Sequence, residues 1–420
     1  MSTRMNKIDD FDMNGKTVLL RVDINSPIEP TTKKIANDNR IRESVPTIKK
    51  LVDKGAKIAM IAHQGDTLDY QNLIPLCEHA EKLSILLGQA VDYIDDVAGP
   101  AAIEKVKGLK PGGIVLLGNL RYLCEEISTF ESAVKLKASE MLDTYLVRRL
   151  RPYVDMYVND AFAAAHRNAP SMVAFQEFLP TAAGELMFRE ISALDKVMKA
   201  PEKPSVFVLG GAKISDAFGM MKTVLENATA DKILTGGITG EIFLIASGKE
   251  IGPTKMKFLS DRSLLEFVPA AKEYLNDYPG KIEMPVDLAY GEDGQRKEIA
   301  VDQLPVDKMF MDIGSQTLAR YDEILQNAKT IFVNGPAGVY EDVLFETGTK
   351  ELWFSIARSP GYSVIGGGDT VSAAAKFIDM KDISYVCTAG GAMVRYLSGK
   401  KLPLIQAMEK AFERQIGFGG

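Results

Sequence analysis

A chain of 420 residues is too long for one hydrophobic core and implies two domains of about 200 residues each. Its composition, 46% hydrophobic and 25% charged, is that of a soluble globular protein, and a net charge of −6 argues against broad binding to nucleic acid or anionic membranes. Any anionic ligand must then be held locally, by placed arginines and lysines. The opening Met1–Asp12 has mixed charge and no apolar core, and no run approaches the roughly 18 apolar residues of a membrane span. Cys77, Cys124 and Cys387 show neither a CxxC nor a metal spacing, which predicts free thiols in a reducing cytoplasm.

Short β-branched runs alternate with helical periodicity from end to end, the pattern of βα units on a parallel sheet. In the first half the strands are predicted at Thr17–Val22, Lys57–Ala62, Ile114–Leu117 and Val154–Val158. Between the first two, Ile41, Val45, Ile48, Leu51 and Val52 share one helical face, and Gly55 stops the helix. Leu186, Ile191, Leu194 and Val197-Met198 predict an amphipathic helix near the domain junction. It is either a hinge between domains or a helix that ends in the proline loop Ala200–Pro204. The second half reads as strands at Ser205–Leu209, Lys232–Leu234, Met309–Asp312, Thr330–Val333, Tyr362–Ile365 and Tyr385–Cys387.

Four glycine-rich turns mark that second half: Gly210-Gly211-Ala212-Lys213, Asn334-Gly335-Pro336-Ala337-Gly338, Gly366-Gly367-Gly368-Asp369-Thr370 and Thr388-Ala389-Gly390-Gly391-Ala392. Glycine lets backbone N–H groups approach an anion, and a following helix N-terminus adds its dipole. Four such turns suggest a polyphosphate lying across the carboxyl ends of a parallel sheet. Lys213 is either a point charge on phosphates or a surface lysine in a tight turn; the Walker A spacing is absent. Asp369 could hold Mg²⁺ or serve as an N-cap, or both. Val371 at the third glycine position disfavours a dinucleotide fingerprint.

The first half carries different chemistry. Arg21-Val22-Asp23-Ile24-Asn25 ends the first strand and puts Asp23 and Asn25 on one face, suited to hydroxyls and a carboxylate or simply to a turn. Arg40 stands at a helix start, where a cation is electrostatically unfavourable unless an anion faces it. His63 and His166-Arg167 lie in loops after strands, as does Asn119-Leu120-Arg121.

Read together, these segments resemble phosphoglycerate kinase over nearly the whole length. Carrying the resemblance are Arg21–Asn25, Asn119–Arg121, Val158–Phe162 with Ala165–Arg167, Leu209–Lys213, Asn334–Pro336 with Gly338-Val339, and Gly366–Asp369. It implies an α/β protein of two Rossmann-like parallel-sheet domains joined by a hinge helix. Residues 1–185 would bind 3-phosphoglycerate and 186–401 MgADP or MgATP, while 402–420 would return to the first domain. Asp23 and Asn25 would orient the glycerate; His63, Arg121 and Arg167 would bind the anionic substrate; Arg40 would stabilise the phosphoryl group in transfer. Lys213, with Gly210 and Gly211, would hold nucleotide phosphates. Asn334, Pro336, Gly338 and Glu341 would line the nucleoside region, with Gly366, Gly367, Gly368 and Thr370 beside the phosphates and Asp369 on Mg²⁺. Gly390 and Gly391 would offer amides to the moving phosphate.

The chain departs from the family pattern at several positions. Asp66 follows His63-Gln64-Gly65 where an arginine is usual, and Ala217 replaces a common lysine. Gly236-Gly237-Ile238-Thr239 replaces a Gly-Gly-Gly-Met stretch, and Gly118 stands where a glutamate is usual. Several of these, with Ala62-His63-Gln64, look like the archaeal branch. The expected reaction passes phosphate between 1,3-bisphosphoglycerate and ADP in a monomer or homodimer. The alternatives are a paralogue that phosphorylates a related carboxylate and a non-catalytic nucleotide-binding regulator.

Overall fold

The computed structural model describes residues 3–65 and 73–418, so Asp66 lies outside the described residues. The chain forms two compact units, one of residues 1–192 with 401–420 and one of residues 193–400. The division falls inside the helix Glu185–Met198, which begins in one unit and ends in the other.

The first unit is built on a six-stranded sheet: β1 (Thr17–Arg21), β2 (Lys57–Ile61), β3 (Asp92–Tyr93), β4 (Ile114–Leu116), β5 (Met156–Asn159) and β6 (Thr181–Ala183). Their order is β3-β4-β2-β1-β5-β6, and every pairing is parallel. β1 lies inside the sheet and is almost wholly buried, as an apolar β-branched run with neighbours on both sides requires. The helix Asn39–Asp53 packs on it through Ile41, Ile48 and Leu51, while Val45 and Val52 are only half-buried. Ser44 and Thr47 are buried on the same helix, made tolerable by hydrogen bonds to the Ile41 carbonyl and to Asp160. The helix Pro403–Phe418 joins this unit: the Leu404 amide donates to the Ala165 carbonyl at 3.2 Å, and Arg414 to that of Leu179 at 3.0 Å.

The second unit has a parallel sheet of β7 (Ser205–Leu209), β8 (Lys232–Thr235), β9 (Ile282–Glu283), β13 (Thr330–Asn334), β14 (Tyr362–Ile365) and β15 (Tyr385–Val386), ordered β15-β14-β13-β7-β8-β9. The strand expected over Met309–Asp312 is β12 (Phe310–Ile313), and it does not join that sheet. It pairs antiparallel with β10 (Asp287–Glu292), itself in a hairpin with β11 (Gln295–Ala300). The hairpin turns at Asp293-Gly294, with φ of 51° and 71°, the left-handed pair that an Asp-Gly two-residue loop accommodates.

Candidate functional site

In the first unit the polar residues collect where β1, β2 and β5 end. Arg21, the last residue of β1, is buried; its Nη2 lies 2.8 Å from His63 Nδ1 and its Nε 3.3 Å from Ser171 Oγ. A guanidinium only donates, so Nδ1 of His63 accepts and the imidazole proton sits on Nε2. Burial, then the fields of Arg21, Arg121, Arg167 and Arg40, hold the His63 pKa well below its usual value. His63 is therefore a neutral Nε2–H donor inside a cluster of arginines. The buried Glu126 balances that charge; it accepts from Ser171 N at 2.7 Å and Oγ at 2.6 Å, and burial raises its pKa against the pull of Ser171, Arg21 and Arg121.

The other expected residues are anchored nearby. Asp23 is buried, accepting from the Asn25 amide at 3.2 Å and from Arg40 Nη1 at 2.9 Å. Asn25 Oδ1 accepts from the Gly65 amide at 3.0 Å, which pins the loop carrying His63. Gln64 fixes the same loop through Ser26 and Asn119. Arg121 donates to the Glu126 carbonyl at 2.6 Å, and Arg167 Nε to Glu131 at 2.7 Å. Arg167 Nη2 is buried without a hydrogen-bond partner among the described residues. Arg21, Glu126 and Ser171 had no role in the sequence reading. Arg21 was visible in its motif, but its partners lie 42 and 150 positions away, beyond the reach of spacing.

In the second unit the four glycine turns converge beyond the carboxyl ends of β7, β8, β13, β14 and β15. The helices Ile214–Glu226, Gly237–Ala246, Gly368–Phe377 and Gly390–Leu397 begin there, and none has a side-chain hydrogen bond capping its first turn. The uncapped, positive ends of such helices favour anions. Backbone bonds knit the turns together: Gly210 N to Asn334 O at 3.0 Å, Gly211 N to Pro336 O at 2.8 Å, and Gly237 N to Ala337 O at 2.7 Å.

The glycines divide into two kinds. A Cβ on Gly210 would strike the Pro336 carbonyl, on Gly338 the Asp312 carboxyl and on Gly366 the Met393 sulfur. A Cβ on Gly390 would lie 3.1 Å from Gly367 Cα. These positions need glycine for internal packing, so three successive glycines do not simply leave room for phosphate. Gly368 and Gly391, each at a helix start, would place a Cβ with no protein atom within 4 Å. A side chain at either position would point into open space.

A cavity of about 500 Å³ lies beside these turns, lined by Gly211, Gly237, Pro336, Gly338, Glu341 and Asp369 among others. Lys213 Nζ stands 3.3 Å from Asp369 Oδ2, and both side chains are exposed. Asn334 Nδ2 donates to the Gly366 carbonyl at 2.9 Å, and Thr370 Oγ1 accepts from Gly335 N at 2.8 Å, so both fasten turn to turn. Thr349 does the same for Ala337 and Gly338 at 3.2 and 3.3 Å, with no signal in the sequence to mark it. Asp312 is buried against Gly338 and Gly348, and burial pushes its carboxyl up to about 7. No described group of three or more His, Cys, Asp or Glu could hold a metal ion. Asp369 alone fits Mg²⁺ bound chiefly through water and phosphate oxygens, the ion's habit in phosphoryl-transfer sites. No described helix is long and apolar enough to cross a membrane.

The family model for phosphoglycerate kinase matches residues 8–400. The phosphoglycerate kinase of Methanothermus fervidus is 42% identical over 407 residues, covering 97% of each chain, and that of Thermococcus kodakarensis 41% identical over 420 residues, covering 98% of each. Among solved structures, the phosphoglycerate kinase of Pyrococcus horikoshii superposes with a TM-score of 0.83 at 38% identity, over 98% of this chain and 100% of that one. The enzyme of Coxiella burnetii gives 0.82 at 30% identity, over 97% and 99%. With clustered arginines in one unit, bare helix starts in the other and this likeness along the whole length, the chain belongs to the phosphoglycerate kinase family, phosphotransferases of glycolysis that act on a carboxyl acceptor.

Proposed function

We propose that the arginine cluster binds 3-phosphoglycerate or 1,3-bisphosphoglycerate and that the glycine turns bind ADP or ATP with Mg²⁺, in a cytoplasmic monomer or homodimer. Arg121 and Arg167 neutralise the substrate's charge, His63 donates through Nε2, and Asp23 and Asn25 orient the glycerate hydroxyl and carboxylate. Arg40 faces the phosphoryl group in flight. Lys213 and the amides at Gly368 and Gly391 receive phosphate oxygens, with the Gly210-Gly211 turn beside them, while Glu341 and the wall formed by Pro336 and Gly338 face the nucleoside. Mg²⁺, held through Asp369 and phosphate oxygens, supplies counter-charge. Transfer then needs positioning and charge neutralisation, with no protein nucleophile. His63 is no general base in this scheme, since a neutral imidazole that accepts from Arg21 at Nδ1 has its proton already on Nε2.

The observation that carries this reading is the pair Gly368 and Gly391, which stand at helix starts without a side-chain cap and border, on the side a Cβ would take, space that no protein atom fills. A KM split tests it. Arg167→Ala should raise KM for 3-phosphoglycerate about tenfold or more with little change for ATP, because a charged hydrogen bond contributes about 1.5–3 kcal/mol. Lys213→Ala should do the reverse. If either variant shifts both constants equally, the assignment of substrates to sites is wrong.

A further inference from the structure

Gln64 stands between His63 and Gly65 in the first unit, yet it is 2% exposed and makes none of the substrate contacts proposed above. Its side chain ties it to the segment after β1: Oε1 accepts from the Ser26 amide and Nε2 donates to the Ser26 carbonyl, both at 2.9 Å. Its main chain ties it to the segment after β4: N donates to Asn119 Oδ1 at 3.1 Å and O accepts from Asn119 Nδ2 at 2.9 Å. One buried residue thus joins the three segments that carry Asp23 and Asn25, His63, and Arg121. A further bond comes from behind it. His79, fully buried on the helix Cys77–Leu87, places Nε2 3.0 Å from Gln64 Oε1. The Ser26 amide can only donate, so Oε1 is the acceptor end of the Gln64 amide and His79 must carry its proton on Nε2. Burial, against the Ile24 carbonyl and together with the charge of Lys82, pulls the His79 pKa down to about 4 and keeps the ring neutral. Filling this space would not require polar side chains, which are costly to bury unless they are paired. What several hydrogen bonds on one buried residue add is a fixed geometry.

We propose that Gln64 and His79 are positioning residues for the substrate of the first unit: the Nε2–H of His79 holds the Gln64 amide, and Gln64 holds the three anion-binding segments in register. The inference rests on the reading that Asn25, His63 and Arg121 meet the phosphoglycerate. Neither Gln64 nor His79 touches the substrate itself. Without the His79 donor, Gln64 Oε1 keeps the Ser26 amide as its donor and the His63 loop gains freedom. Ordering that loop then becomes part of the cost of binding. The cost falls on 3-phosphoglycerate and spares the nucleotide.

The experiment compares KM for 3-phosphoglycerate and for ATP in wild type, H79F, H79Q and L83A. Phenylalanine keeps an aromatic ring but has no donor, whereas a glutamine amide can return an N–H close to where Nε2 stood. Leu83 is buried on the same helix, so L83A loosens the packing and leaves the Gln64 bond in place. H79F should raise KM for 3-phosphoglycerate about two- to tenfold, the range spanned by one lost hydrogen bond, with KM for ATP unchanged. H79Q should recover most of that loss, and L83A should lose unfolding temperature with both constants near wild type. A folded H79F with unchanged KM for 3-phosphoglycerate, an equal rise for ATP, an equal rise in L83A, or an H79Q no better than H79F overturns the proposal. Wild type supplies a test that needs no variant to fold: with three histidines in the chain, ring 15N spectra at neutral pH should show His79 as the neutral Nε2–H tautomer, and a charged ring or an Nδ1–H tautomer overturns it. If Arg167→Ala leaves KM for 3-phosphoglycerate unchanged, the substrate lies elsewhere; if Arg167→Ala raises it and H79F does not, only the positioning role fails.

Discussion

Arg40 offers the sharpest separation of catalysis from stability. It is the second residue of the helix Asn39–Asp53, where its charge opposes the positive end of the helix dipole. Its one fixed partner among the described residues is Asp23, at 2.9 Å, with the arginine side chain 37% exposed and the aspartate 5%. A half-exposed pair contributes about 0.2–1 kcal/mol. Removing the arginine also leaves Asp23 buried with the Asn25 amide as its remaining donor, so the loss sits near the upper end, about 1 kcal/mol, or about 2–4 °C in a unit of this size. An arginine that meets charge developing in phosphoryl transfer is worth on the order of 10³-fold or more in turnover, about 4 kcal/mol. Arg40→Ala should therefore nearly abolish turnover at saturating ATP and 3-phosphoglycerate in a coupled assay, with the unfolding temperature almost unchanged. Arg40→Lys should recover little, because a point charge cannot bridge two oxygens as a planar fork does. Arg42 is the internal control: it forms a two-pronged pair with Asp38 on the same exposed helix start, and Arg42→Ala should leave turnover near wild type. A loss under tenfold for Arg40→Ala, or an equal loss for Arg42→Ala, would refute the assignment.

Three further expectations follow from the geometry. Gly366→Ala must displace Met393 and should cost about 1–3 kcal/mol in thermal or denaturant unfolding, whereas Gly391→Ala should leave stability unchanged or slightly higher while slowing turnover; equal stability losses would mean that the two glycines do not differ in kind. Asp369→Ala should lower turnover strongly at limiting Mg²⁺ with no change in unfolding temperature, since its contact with Lys213 is exposed; near-normal activity at limiting Mg²⁺ would remove the metal role. Asp312, raised to about 7 by burial, favours the fold when protonated, so its contribution is complete below its unfolded value near 3.8 and is lost as pH rises through about 7. Wild type should lose unfolding temperature relative to Asp312→Asn between pH 5 and 8, and parallel curves would show that Asp312 does not titrate there.

The parts of this molecule legible in the sequence are those whose cause is local. β1 and β7 declare themselves because an interior parallel strand is an unbroken apolar run, and the turns after β7 and β14 because successive glycines have no other common use. β3 and β9 are two residues long and carry no periodicity to read. The β10–β11 hairpin did carry its signal, Asp293-Gly294, but one parallel βα pattern was expected throughout and left no place for it.

The site divides along the same line. That Gly366 and Gly368 belong to one turn is plain from the sequence, yet the reason for each differs and depends on residues far along the chain. Gly366 is glycine because Met393 occupies the space beside it; at Gly368, a helix start, a Cβ would meet only open space. Gly338, expected beside the nucleoside, is glycine at least in part because the Asp312 carboxyl packs on it. His63 shows the same limit from the other side. Its position after β2 marks it as a candidate, but its protonation follows from Arg21, whose guanidinium fixes the tautomer, and from burial among arginines drawn from four separate segments. Sequence names the groups that can bind an anion. The proton each group carries, and the direction in which it can offer it, are set by neighbours that only the fold supplies.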